Sequence, residues 1–123
     1  MRTTTLLLAL TLTLTLAATA TAASTTAPPR RAECPTGALC LWEREDFRGA
    51  RRIHELHTTD IDSCVPLPPG TTAQALANRT GRPVTTYQSP ECAETGEFET
   101  YPGSGTWVPA SPYLIRAFKL WES

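Results

Sequence analysis

Residues 34–49 read CPTGALCLWEREDFRG, and no other stretch limits the fold of this chain so tightly. Cys34 and Cys40 enclose a Pro-Thr-Gly turn that brings its flanks together, so the two cysteines can close on each other. Trp42 follows at once, with Phe47 five positions on and Gly49 seven on. This spacing describes a connection folded back over its own strand, with the glycine supplying a backbone angle other residues avoid. A staple, an aromatic and a turn glycine in so short a segment point to a small secreted β domain.

Met1 and Arg2 give a short positive start, residues 6–17 are apolar apart from threonines, and Ala20, Thr21 and Ala22 offer a small-x-small cleavage site. This is the pattern of a secretory signal peptide over residues 1–22, and the run is too short for a membrane anchor. Residues 23–33 have nothing to bury and read as a flexible leader. One domain remains, residues 34–123, large enough for one modest core. The protein is therefore expected to be secreted, extracellular and monomeric, with no membrane attachment once the signal is cleaved.

Four cysteines in an exported chain should be paired. With Cys34 joined to Cys40 across its turn, Cys64 and Cys92 are left for each other. Chain entropy assigns roughly 2.4 kcal/mol to the short loop and roughly 3.6 kcal/mol to the long one, before any native strain. The net charge of −1 becomes one unit more negative when Arg2 leaves with the signal, and there is no basic stripe of the kind nucleic-acid binding requires. Arg44, Arg48, Arg51 and Arg52 cluster early, and Glu91, Glu94, Glu97 and Glu99 cluster late. Both clusters read as solvated hairpin surfaces, the acidic one alternatively as a loop that faces a partner.

Catalytic and cofactor chemistry lacks its parts. There is no Gly-x-Ser-x-Gly elbow, no serine stands in a motif with His54 or His57, and the thiols are consumed by disulfides. Glu45 and Asp46 lie in a hairpin connection, where they are solvated. Paired C-x2-C units are missing, and on a strand His54 and His57 would point to opposite faces, so no metal centre and no cofactor are expected.

A coarse pass finds strands and turns. Residues 38–43, 50–56, 83–88 and 98–101 are β-compatible. Pro66, Pro68 and Pro69 exclude a helix or a central strand from residues 62–70. Residues 72–78 contain good helix formers but are too few to hold alone, and the turn at residues 78–81 ends them. Residues 113–121 read as a final strand, apolar on much of both faces and so placed inside a sheet. The order of strands, connections and turns repeats in two halves, which two four-stranded Greek keys packed as a sandwich would explain.

The aromatic-x-x-x-x-Phe-x-Gly pattern of Trp42, Phe47 and Gly49 resembles the folded hairpin of βγ-crystallin domains. With the Cys-Pro-x-Gly-x-x-Cys block before it and a bacterial-type signal peptide, the chain is similar to the streptomycete metalloproteinase inhibitor family, across residues 34 to about 120. Residues 75–80 and 115–118 also look like family segments. The resemblance implies an all-β, βγ-crystallin-like two-Greek-key sandwich with two disulfides, and an inhibitor whose partner is an extracellular thermolysin-like protease. In the second half Tyr87 takes the aromatic place, but Cys92 stands five positions on and the glycine, Gly96, comes two residues late.

In that family the loop that enters the protease lies in this region, tethered by a disulfide and offering a cysteine followed by an apolar residue. Carried over, Cys92 and Ala93 are the first candidates for the inhibitory loop, and Cys64 with Val65 the second. The alternative is a killer-toxin-like or other extracellular binding module, with Trp107 and Trp121 as its patch. Calcium binding ranks below both, since Asp60 and Asp62 are not adjacent.

Overall fold

The computed structural model describes residues 33–123, together with Thr11 and Thr13. Apart from those two threonines, the expected signal peptide, and the leader up to Ala32, lie outside the described residues. No helix among the described residues is long and apolar enough to cross a membrane.

Eight strands follow in order: β1 (Ala38–Arg44), β2 (Arg48–Glu55), β3 (Val65–Pro66), β4 (Ala75–Asn78), β5 (Val84–Tyr87), β6 (Phe98–Tyr101), β7 (Thr106–Val108) and β8 (Ala117–Leu120). Single 3-10 turns at Glu45–Phe47 and Leu56–Thr58 are the only helical pieces described. The strands pair antiparallel into two four-stranded sheets, ordered β2-β1-β4-β7 and β3-β8-β5-β6. The fold is an all-β sandwich with two disulfides. Three strands of each half stay together, and each half sends its third strand to the edge of the other half's sheet.

Those two exchanged strands escaped the sequence reading. β3 is only Val65 and Pro66, and Pro66 has no N–H to give a ladder, which is tolerable because β3 is an edge strand. β7 is three residues long, too few for a period-2 pattern to register.

The inner faces meet in one core. Leu39 and Leu41 of β1 and Leu76 of β4 pack with Val84 of β5, Phe118 and Leu120 of β8, and Ile115. β1 is buried on both sides, because Ala38, Cys40 and Trp42 point away from this core and are covered in turn. Their cover is the Cys34–Cys40 disulfide, with Phe47 and Trp107 closing over Trp42. β4 explains why helix formers end up in a strand. Cys40 pairs with Ala77 and Trp42 with Ala75, so small side chains leave room for a disulfide and an indole on that face. Burial of the strand on both faces overrides local propensity.

The last strand is shorter than residues 113–121. Ile115 bridges Ala73, beyond the end of β4, and only from Ala117 does the chain pair with β5. The chain crosses between sheets there, so Ile115 and Phe118 both reach the core although they differ in parity. β8 lies between β3 and β5, inside its sheet.

Asn78 closes the joint between the halves. Its fully buried amide donates to the carbonyls of Arg82 (2.7 Å) and Pro102 (3.1 Å). Its carbonyl oxygen accepts from Thr80 N–H (3.1 Å) and the Thr80 hydroxyl (2.7 Å). Gly103 passes so close beneath this turn that a Cβ there would sit 2.3 Å from the Arg82 nitrogen.

Candidate functional site

β5 and β6 are joined by a loop that Gln88 and Glu97 close, Gln88 N–H donating to Glu97 O at 2.9 Å. Inside it the chain makes two local turns, Cys92 N–H donating to Ser89 O (3.2 Å) and Gly96 N–H to Ala93 O (3.4 Å). The Ser89 hydroxyl accepts from Glu91 N–H at 3.1 Å. Cys92 has φ 58°, a left-handed conformation that residues with a Cβ seldom adopt. Its side chain is bonded to Cys64, which lies just ahead of β3, and its sulfur rests 3.9 Å from Phe118 O. The tether therefore ties the loop to the opposite end of the same sheet. Cys92 and Ala93 are half-buried, and Glu91 and Glu94 on either side are exposed.

The first hairpin shows what this loop departs from. Phe47 also has φ 58°, and its ring folds back edge-on to Trp42 with centroids 5.0 Å apart. Gly49 follows at φ 80°, where a Cβ would press on Glu43 Cβ at 3.1 Å. In the second hairpin the side chain five places after the aromatic leaves for Cys64, and Tyr87 is covered instead by Phe98, stacked at 6.0 Å. Gly96 is not left-handed, and a Cβ there would meet only ordinary contacts.

The second candidate pair has a different setting. Val65 is hydrogen-bonded into β3 opposite Phe118 and is followed by Pro66, so the Cys64–Val65 bond lies at the mouth of a sheet ladder. Trp107 packs on Trp42 (6.4 Å) and Phe47 (5.7 Å), and Trp121 donates its indole N–H to the Thr85 hydroxyl (2.8 Å). Both indoles thus have structural partners.

His57 lies in the 3-10 turn after β2 and pairs with Glu55 at 3.1 Å. His54 is turned inward against Phe118, ring centroids 4.6 Å apart, and its Nε2 has no hydrogen-bond partner. Burial, with the Arg52 charge adding, holds its pKa below the ordinary histidine value. Among the described residues no three His, Cys, Asp or Glu side chains gather as a metal site would need.

A small sandwich, stapled twice and carrying a tethered loop, has the build of a domain suited to an oxidising compartment. Within that class the chain belongs to peptidase inhibitor family I36, whose profile matches residues 27–100, more than half of the chain. The match takes in the first hairpin, both disulfides, the whole β5–β6 loop and all of β6 but Tyr101. The family drawn from Cys34 to Gly49 is thus the right one, and a protease is the partner that membership implies. Comparison with curated proteins and with solved structures returned no significant match.

Proposed function

We propose that the protein is secreted and blocks the cleft of a thermolysin-like metalloprotease with the Cys92–Ala93 segment. The observation that carries this reading is the left-handed Cys92, held outside any strand ladder and bonded to Cys64 at the far side of the sheet. A loop already fixed by a disulfide and two local turns loses little conformational freedom on binding. Cutting the Cys92–Ala93 bond would not release either new end. Cys92 stays bonded to Cys64, and Ala93 leads into β6, which is paired with β5. Such ends stay opposed in the cleft, which favours retention and religation over turnover. The Cys64–Val65 bond fits the role less well, because entering a cleft there would compete with the pairing of Val65 to Phe118.

Titration of the purified mature protein against secreted metallo- and serine proteases tests the proposal. Stoichiometric inhibition of thermolysin, lost in Ala93→Pro and retained in Val65→Pro, is the expected result. Inhibition of no protease in the panel would leave a binding module without inhibitory activity.

A further inference from the structure

The outer face of the second sheet continues the loop. The register sets Phe98, Tyr87 and Ala117 in one row and Thr100, Thr85 and Lys119 in the next, all away from the core. Tyr87 and Thr85 are sealed beneath their neighbours, and the Thr85 hydroxyl is already engaged by Thr100 (2.6 Å) and Trp121. Around a groove of about 370 Å³, Phe98, Thr100, Glu94 and the edge of Trp121 reach solvent, and Lys119 lies beside it over the Tyr87 and Trp121 rings that help line it. Phe98 is 44% exposed, the most exposed large apolar side chain described. The Lys119 ammonium lies 5.1 Å from the Trp121 ring centroid and 5.9 Å from that of Tyr87, with no carboxylate partner among the described residues.

The groove shares Glu94 with the candidate loop, one residue beyond Ala93. A protease–inhibitor interface buries about 800 Å² per partner, far more than a loop tip can offer, so the surface next to the tip must join in. Interfaces concentrate their energy in aromatic anchors, and Phe98 and Trp121 are aromatic side chains of that kind beside a cation with no carboxylate partner among the described residues.

We propose that this groove is a second docking surface for the inhibited protease, receiving from the rim of its cleft an apolar side chain against Phe98 and a carboxylate against Lys119. This rests on the reading of Cys92–Ala93 as the segment in the cleft. A second copy of this chain and a saccharide are the competing occupants.

Thermolysin serves as the probe. The inhibition constants of Phe98→Ser, Lys119→Gln and Ala93→Pro are compared with the unaltered protein, together with Ile53→Ser, which alters an exposed apolar residue on the other sheet. Phe98→Ser and Lys119→Gln should each weaken inhibition about tenfold, Ile53→Ser should leave it unchanged, and far-UV circular dichroism should be the same for all three. Full inhibition by Phe98→Ser and Lys119→Gln, with inhibition lost in Ala93→Pro, would sink the groove while the loop reading stands. Failure of the unaltered protein to inhibit sinks both. The groove also fails as a protease site if the protein elutes as a dimer that Phe98→Ser dissociates, or if a soluble cell-wall oligosaccharide perturbs tryptophan fluorescence and Phe98→Ser abolishes that signal.

Discussion

Phe47 and Cys92 occupy the same place in the two hairpins: each stands five residues after the aromatic of its strand, and each has φ 58°. The left-handed angle at this position is therefore kept in both halves, although the connections around it differ, while the side chain changes its task. Phe47 folds inward between Trp42 and Trp107, and Cys92 reaches across to Cys64. One copy of the turn is scaffold, and the other carries the tethered loop.

Phe47→Ala should lower stability by about 1–3 kcal/mol, since it removes two edge-to-face aromatic contacts and part of the cover over Trp42. Thermal denaturation checks this, and inhibition of thermolysin at low temperature should be unaffected. An unchanged melting temperature would mean that the ring contributes nothing to the scaffold.

The two disulfides should separate by function. Replacing Cys34 and Cys40 by serine should cost roughly 2.4 kcal/mol and spare inhibition, whereas replacing Cys64 and Cys92 should cost roughly 3.6 kcal/mol and turn the loop into a readily digested substrate. Urea denaturation measures the first quantity, and the rate of inhibitor breakdown measures the second.

The first hairpin was legible residue by residue because its chemistry is local. Cys34 and Cys40 enclose their own turn, and Trp42, Phe47 and Gly49 meet within one connection. The exchange of β3 and β7 was not legible, because a two-residue strand containing Pro66 carries no periodicity and its partner Phe118 is remote in sequence. Residues 113–121 misled for a related reason, since nothing local marks where the chain crosses from Ala73 to β5. In the second hairpin the spacing marks Cys92 and the late Gly96, but not which of them turns left-handed. The angle belongs to Cys92, and no local residue type marks a left-handed cysteine.

Asn78→Leu should cost about 2–4 kcal/mol. It strips four hydrogen bonds from a fully buried side chain, leaving Thr80 N–H without its acceptor and the Arg82 and Pro102 carbonyls with only the Thr80 (3.1 Å) and Thr106 (2.9 Å) hydroxyls as donors. Amide exchange should speed up at Thr80 and Arg82 before other sites. A stability within 0.5 kcal/mol of the unaltered protein, the usual range for surface changes, would contradict this role.

Stability should fall at both ends of the pH range. His54 binds its proton less readily when folded than when unfolded. Its contribution is therefore intact above the unfolded value of about 6.5 and is lost as pH drops toward the lowered folded value. His54→Phe should flatten this acid limb. At the alkaline end the Tyr101 phenol is pushed up to about 12 by burial first, with Tyr113 and Glu99 adding. Its contribution is complete below pH 10 and is lost as pH rises from 10 toward 12. Melting temperatures across pH 4 to 12 in unaltered and His54→Phe protein give both limbs.

The central claim is that the protein presents its Cys92–Ala93 bond to a protease and survives the encounter. It is tested most directly by incubating the mature protein with an equal amount of thermolysin, denaturing the inhibited complex and identifying every new N-terminus. One slow cut is expected, with Ala93 as the new N-terminus and the enzyme still inhibited. A first cut before Val65, or rapid digestion with full enzyme activity, would contradict it.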